Sequence, residues 1–395
     1  MSDKAAKQPV WITGIGLLSS LGEGTDAHWQ AMNAGKPQNV DTERFAPYPV
    51  HALGEVEWAN QISRRDMRQM EPWQQIGTYA AGLALDDAGV KEDEELCGLI
   101  DMIVAAGGGE RDVEVDSTIM SEARGKNEVD GILAERMSND LRPTLFLAQL
   151  SNLLAGNISI VHKITGSSRT FMGEEGAGIS AIQTAAARIA SGQSDIALVG
   201  GAFNGEREDM LLSFELGQYL LQGDVTPVWD RVDGESGLAM GSIGVFLVLE
   251  SEDHAKKRNA TPYAAISGVA ADHGSRAPGA ATKRLEKALE KLGTVETNAV
   301  ISAATGVANI TKEEQGFLEA NVPSVAARAF GSVLGHGNET QFPLGVALAA
   351  LAIKNGEFYK PLQAGEAELA GAPSSILVTT VGHWRSEGLG LVSKV

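Results

Sequence analysis

GSSRTFMGEEGAGISAIQTAAARIASGQSDIALVGGA, residues Gly166 to Ala202, is the stretch whose order of parts decides the fold class. A short extended run leads into a glycine-bracketed turn, MGEEGAG. An alanine-rich helix follows, with Ile179, Ile182, Ala186 and Ile189 at helical spacing. A polar turn, Ser191 to Ser194, then feeds the apolar β run Ile196 to Val199. A strand–tight turn–helix unit presents the first helical residues where free backbone N–H groups point outward. Enzymes place nucleophiles and oxyanion donors at such elbows. Here the elbow carries Glu174 and Glu175 instead of Ser or Cys. Acidic residues in a first helical turn are common and stabilise by about 0.3–1 kcal/mol, so the pair alone implies no chemistry.

The pattern extends outward in both directions. Upstream, Val10 to Gly16 is a buried strand running into a glycine turn, and its glycines lack dinucleotide-binding spacing. Helices are predicted over Thr25 to Gly35, Trp73 to Ala88 and Thr144 to Ala155, and a strand over Leu99 to Ala106. Gly107 to Gly109 reads as a turn, because no Lys-Ser/Thr follows to make a phosphate loop. Downstream, strands are predicted at Ile243 to Leu249, Tyr263 to Val269, Ala299 to Ala303 and Ser375 to Thr380. Helices are predicted at Ala280 to Leu292, Thr311 to Ala320 and Leu344 to Ile353, with a solvated turn or short helix at Ser251 to Ala260.

A long-period echo runs through this order. ITGIG at Ile12 resembles ISGVA at Ile266, and the elbow helix with its strand resembles Leu344 to Thr380. Two βαβ-rich halves in similar order suggest a pseudo-duplicated α/β fold, against the alternative that βαβ units simply look alike. The halves are taken as 1–255 and 256–395, one intertwined unit with no linker between them.

Composition narrows the function. A chain of 395 residues with 32 basic and 51 acidic side chains has a net charge of −19. It is a poor ligand for nucleic acid or for an anionic membrane. One cysteine, Cys97, permits neither an internal disulfide nor a cysteine-based zinc site; a packed thiol is its simplest reading. Seven histidines scattered along the chain form no metal-binding spacing, so neither metal nor cofactor is expected. His254 and His273 read as surface or pocket-lining residues. Glu313-Glu314 and Glu366 to Glu368 read as solvated faces. The start, MSDKAAKQPV, has no signal-type apolar core, and no apolar run is long enough to span a bilayer. A cytoplasmic location is the expectation.

Four segments resemble the β-ketoacyl-ACP synthases of the thiolase superfamily, KAS II type: ITGIGLLSSLGEG, SRRDMRQMEPWQQIGTYAAGLALDDAGV, PVWDRVDGESGLAMGSIGVFLVLESEDHAKKRNATPYA and GSVLGHG. They cover nearly the whole chain in the family's order. The resemblance implies a thiolase-like α/β fold with two parallel-rich sheets, layered α-β-α-β-α. It also implies a dimer, here paired through Asp195 to Gly201. Family members hold the acyl chain on an elbow cysteine and use two histidines and a lysine beside it. Gap-free matching from Gly166 forwards, or from Asp195 backwards, puts Glu175 at the cysteine position. Ala304 falls at the first histidine, Gly331 at the lysine, and His336 at the second, retained histidine. Glu339 and Phe342 replace small residues after that histidine. The oxyanion loop corresponds to Val381–Ser386, with Trp384 and Arg385 where glycines are usual.

The resemblance therefore implies a synthase-family protein of fatty-acid or polyketide synthesis without its own condensing nucleophile. The first reading is a non-catalytic partner of an active synthase, similar to chain-length factors, in a homodimer or heterodimer. The alternative is a malonyl-ACP decarboxylase or acyltransferase acting through Glu175 and His336. A lone histidine near a helix start is more often structural than catalytic, so His336 fits either reading. If Glu175 is buried it needs partners, and His336, His383 and Arg385 are the candidates. Arg64, Arg65 and Arg68 form a basic cluster on an acidic chain; it is either an ordinary solvated helix start or, as the resemblance implies, the seat of the acidic acyl carrier protein. The second case predicts carrier binding that weakens with rising salt. Reversing all three charges should abolish it in a titration against carrier protein, and unchanged binding would refute the assignment.

Overall fold

A computed structural model describes residues 8–143, 145, 149–323 and 325–395 of the chain. Ten strands define its frame: Val10–Ser19 (β1), Asp101–Ala105 (β2), Ser168–Phe171 (β3), Ile196–Phe203 (β4), Ile243–Ser251 (β5), Ala264–Asp272 (β6), Ala299–Ser302 (β7), Ala326–Ala329 (β8), Ser375–Val381 (β9) and Glu387–Ser393 (β10). The principal helices are Pro72–Asp87 (α1), Leu153–His162 (α2), Glu174–Ala190 (α3), Ala280–Leu292 (α4), Ala308–Asn321 (α5), Gly331–Leu334 (α6) and Gln341–Asn355 (α7).

The strand order is β8-β7-β9-β10-β6-β1-β5-β4-β2-β3, with the short strand Gly22–Glu23 attached to β1. This order is a palindrome. Counting five strands onward converts the first half, β3-β2-β4-β5-β1, into the second, β8-β7-β9-β10-β6. The pairing senses match as well: β2 is parallel to β3 and β4, as β7 is to β8 and β9. The next strands in, β5 and β10, run antiparallel to β4 and β9. Each half is thus a mixed sheet, less uniformly parallel than expected. The seam between the halves is three residue pairs long, Val10↔Ile266, Trp11↔Ala265 and Ile12↔Ala264.

Helices complete five layers, α-β-α-β-α. Helices α1 and α2 cover the outer face of the first half, and α4 and α5 that of the second. Helices α3 and α7 lie between the halves, each touching strands of both. That position explains their composition. All thirteen residues from Gln341 to Ile353 are buried, so small and aliphatic side chains can meet two sheets at once, whereas a polar stripe would be stranded. The fold class expected from the resemblance is the one present.

Several expectations need correction. The strand Asp195 to Gly201 cannot mediate dimer pairing, because β4 is hydrogen-bonded on one side to β2 and on the other to β5. Among the described residues, the end strands of this sheet are β3 and β8. The edge of β8 is blunted: Arg328 donates to the carbonyls of Tyr359 and Lys360 and lies 3.6 Å from Glu366, whose carboxylate also accepts from the amide of Leu362. Glu366 is therefore no solvated side chain. Nor is Glu314, which is fully buried and accepts from Ser302 Oγ and Thr379 Oγ1; burial raises its carboxyl above the ordinary value. Glu313 accepts from the amides of Gly279 and Thr282 and so caps the start of α4 from a neighbouring helix. The helix predicted over Thr144 to Ala155 falls partly outside the described residues; the described helix there is α2. Strands β8 and β10 had no counterpart in the sequence reading.

One buried carboxylate fastens the first half. Glu250, on β5, is fully buried and accepts from Thr13, from Arg258 and, at 2.6 Å, from His254. Arg258 also donates to the carbonyl of Ala88 at the end of α1. Burial alone would raise the Glu250 carboxyl, but the bonds from Arg258, His254 and Thr13 reverse this and hold it at about 2. Its folded value lies below its ordinary 4.5, so the stability it contributes is complete above that pH. That contribution, about 3 kcal/mol, should be lost as pH falls from there toward 2. Denaturant unfolding across this range should show the loss in the parent chain, and Glu250→Gln should flatten it.

Candidate functional site

The head of α3 is where the two halves meet in chemistry. Gly173 precedes the helix at φ 121°, a backbone state that L side chains rarely adopt, and this turns the chain sharply from β3 into α3. Glu174 and Glu175 then occupy the first turn. Glu175 is fully buried, on the inner side of the helix with Ala177, Gly178 and Ile179. Glu174 faces outward.

Two histidines from the other half reach Glu175. His383 lies in the loop after β9. Its backbone N–H donates to Glu175 Oε1 at 3.0 Å, and its Nδ1 lies 2.9 Å from the same oxygen. Phe214 and Tyr219 meet the His383 ring edge-on, with centroids 5.2 and 5.0 Å away. His336 follows α6 and is held by a bridge in which its N–H donates to Ala239 and its carbonyl accepts from Gly241. Its Nε2 stands 2.9 Å from Glu175 Oε1, but off the line along which an N–H would donate, so no aligned hydrogen bond forms. The contact is one of charge proximity.

Burial works against charge on Glu175, but His383 and His336 outweigh it and hold the carboxyl well below its ordinary value. Burial likewise disfavours the His383 imidazolium, and the Glu175 carboxylate more than compensates, raising it. The pair is an ion pair sealed from water. Close approach makes the seal: a Cβ on Gly382 would stand 2.8 Å from Glu175 Oε2. The Gly382–Ser386 loop closes through a bond from the Gly382 amide to the Ser386 carbonyl. Arg276 donates to both carbonyls and pairs with Glu387, which Arg284 also engages.

The other candidates divide. Arg385 does not reach Glu175; its Nε is 3.3 Å from Glu174 Oε2, and its guanidinium stacks on the exposed Trp384 ring at 5.2 Å. Ala304 packs in an apolar cluster with Val228 and Ala329, and its carbonyl abuts Gly331. Both positions at which the resemblance implies a polar catalytic group, Ala304 and Gly331, are filled by apolar packing. Cys97 is buried on the helix Glu94–Leu99, where its thiol approaches the Val90 carbonyl at 3.4 Å. His254 belongs to the Glu250 network. His273 is exposed and lines a cleft of about 510 Å³ on the outer flank of α3, with Met172, Glu174, Gln183 and Arg385. Glu175, His336 and His383 do not line that cleft. Arg64, Arg65 and Arg68 are exposed and make no ion pair among the described residues.

Glu339 is the site residue whose importance the sequence left open. It is buried, one turn past His336, and burial pushes its carboxyl up to about 8, helped by the negative charges of Glu175 and Glu174. A Cβ on Gly107 would sit 2.6 Å from Glu339 Oε1, so the first glycine of the triple-glycine turn makes room for this side chain. The signal available was a carboxylate placed three residues after the Gly-His turn, where the resemblance implies a small residue. Two of the seven histidines scattered along the sequence meet in space: Glu175, His336 and His383 each offer one ligand atom within 4.8 Å of the others.

Residues 7–255 match the family described as "Beta-ketoacyl synthase, N-terminal domain". The chain is 26% identical over 356 residues to the 3-oxoacyl-[acyl-carrier-protein] synthase 2 of Vibrio cholerae, covering 84% of this chain and 82% of that protein. It is 29% identical over 375 residues to the tetracenomycin polyketide synthase ketoacyl synthase beta subunit of Streptomyces glaucescens, covering 89% and 87%. Among solved structures, the ishigamide ketosynthase/chain length factor superposes with a TM-score of 0.79 at 21% identity, covering 99% of this chain and all of that one.

The two glutamates at the elbow should differ sharply on truncation. Glu175→Ala leaves a buried imidazolium and amide without their anion and should cost about 3–5 kcal/mol in denaturant unfolding. Glu174→Ala removes only an exposed pair and should cost less than about 1 kcal/mol.

Proposed function

The chain belongs to the β-ketoacyl synthase family, a ketosynthase family of fatty-acid and polyketide biosynthesis, and from that premise we propose that it is a non-catalytic partner subunit of an active synthase. One observation carries this reading: the head of α3, where the resemblance puts the acyl-accepting thiol, presents a carboxylate locked in a sealed ion pair. The chain's one cysteine is packed elsewhere. Glu175 as nucleophile would have to leave His383, and carboxylate attack on a thioester would give a mixed anhydride in place of the thioester that condensation uses. Decarboxylation through Glu175 and His336 is the poorer reading. The anionic side chain would repel a malonyl carboxylate, and the cleft on the outer flank of α3 is not lined by Glu175.

The same reading gives the chain two partners. Acyl carrier protein is expected at Arg64, Arg65 and Arg68, whose charges are exposed and unpaired among the described residues. A ketosynthase subunit, identical or different, is expected at the free edge of β3. Unpaired strand N–H and C=O groups there can extend the sheet across an interface. The exposed Met172 beside the strand and the exposed Ile160 on the adjacent α2 supply apolar area for the same contact. The division 1–255 and 256–395 belongs to this proposal too, since β1 to β5 fall in the first span and β6 to β10 in the second. So does a cytoplasmic location; no described helix is long and apolar enough to cross a membrane.

The test is a reconstitution. The pure chain, given malonyl-carrier and acyl-carrier protein, should release no CO₂ and take up no covalent acyl group. Added to a cysteine-bearing synthase subunit of the same family, it should form a complex and raise or redirect chain elongation. A covalent acyl adduct on the isolated chain, or CO₂ release abolished by Glu175→Ala, would overturn the proposal.

A further inference from the structure

We propose that Glu175, His336 and His383 form a binding site for one divalent transition-metal ion of the zinc class, tying the loop after β9 and the turn after α6 to the head of α3. The inference goes beyond the partner-subunit reading and does not depend on it.

The donor set is the first argument. Two imidazole nitrogens and one carboxylate oxygen suit a divalent ion of borderline softness, and three protein ligands of this kind recur in zinc sites. The second is convergence. The three residues come from three separate segments, one in the first half of the chain and two in the second. Each places one ligand atom within 4.8 Å of the other two, and both histidine nitrogens lie 2.9 Å from Glu175 Oε1. Bonds of about 2.0–2.1 Å to a shared ion need ligand atoms about 3 Å apart, so small side-chain rotations suffice.

The third argument is independent of the cluster itself. Buried polar atoms are normally satisfied, yet this pocket leaves several without hydrogen bonds. Glu175 Oε2 and His336 Nε2 have none, on side chains 0% and 4% exposed. The neighbouring Glu339 Oε2 has none either. Glu175 Oε2 is an acceptor, and His336 Nε2 accepts in one tautomer. A cation held by the three ligands would answer these two atoms together. An ordinary ion pair answers only Oε1, which already takes both the amide and the ring of His383.

The role is structural. The ligands are sealed from the outer cleft, and the ion would replace the imidazolium as the partner of Glu175. Nothing in the elongation of an acyl chain is routed through it.

The full chain, stripped with a chelator and dialysed, should take up one Co²⁺ or Zn²⁺ per chain. Calorimetry would read Zn²⁺, and visible d–d absorption would read Co²⁺. Zn²⁺ should raise the thermal midpoint of the parent chain. Glu175→Gln, His336→Gln and His383→Gln should each weaken binding at least tenfold and abolish that rise, with circular dichroism confirming the fold. Failure to bind one ion per chain would overturn the proposal. So would equal binding by all three variants, which would place the ion on the acidic surface. If a variant does not fold, X-ray absorption at the cobalt edge of the parent chain decides: two imidazole nitrogens in the first shell support the site, and an all-oxygen shell refutes it. No substrate enters these measurements, so their outcome is separate from that of the reconstitution.

Discussion

A carboxylate with no access to water must be neutral or matched, and Glu175 is matched from across the molecule. Its partners come from the far half of the chain: the amide and ring of His383, and the ring of His336. The seam between the sheets is only three residue pairs long. The halves are therefore held by what lies between them: the buried faces of α3 and α7, and this ionic knot at one end of α3. Burying charge is costly, and an apolar cluster of similar volume is often as stable or more so. What a matched ion pair adds is direction. It fixes which loop sits over the helix head and in what orientation, and Arg276 and Arg284 hold that loop from behind through Glu387. At the helix head where the resemblance implies the family's chemistry, the side chains bind one another.

The palindromic strand order gives the two halves one plan. Each half repeats one sequence of pairings, and the three large hydrophobic clusters separate cleanly. One lies between the sheets, and one lies under each outer helical layer. The polar centre sits at the end of the inner layer and not in the middle of any cluster. Ala304 packs with Val228 and Ala329, and Val228 and the Ala304 carbonyl close over Gly331; the resemblance implies a histidine and a lysine at these two positions.

Much of the frame was legible because periodicity reports burial. The helix over Ala280 to Leu292 came out at its bounds, having one apolar stripe. The echo between the two halves was visible where both copies are short, apolar and alike. Legibility failed where backbone contact replaced side-chain pattern. Strand β10, EGLGLVS, reads as a loop, yet a Cβ on Gly388 would strike Ile179, and one on Gly390 would strike Phe342. Its glycines record the closeness of α3 and α7. Strand β8 is four residues long, too short for alternation to show. Glu313, Glu314 and Glu366 read as solvated because sequence carries charge but not the hydroxyls and amides that receive it. At the site, an elbow carrying acid was plain from residues alone. The meeting of Glu175 with His383 and His336 needed the resemblance, since more than 150 residues separate the first from either of the others. The burial of Glu339 needed the coordinates.

The unequal ends of the continuous sheet have a consequence for stoichiometry. A strand array with two open margins can add copies at both and grow without limit, the route to fibres. Here the margin at β8 is stoppered by Arg328, Glu366 and the carbonyls of Tyr359 and Lys360, and among the described residues the margin of this sheet at β3 stays open. The pairing proposed at β3 would then terminate after one addition, through a contact in which each molecule offers the same strand. In that arrangement an identical companion could be exchanged for a related one without growth into a fibre, because the geometry counts to two.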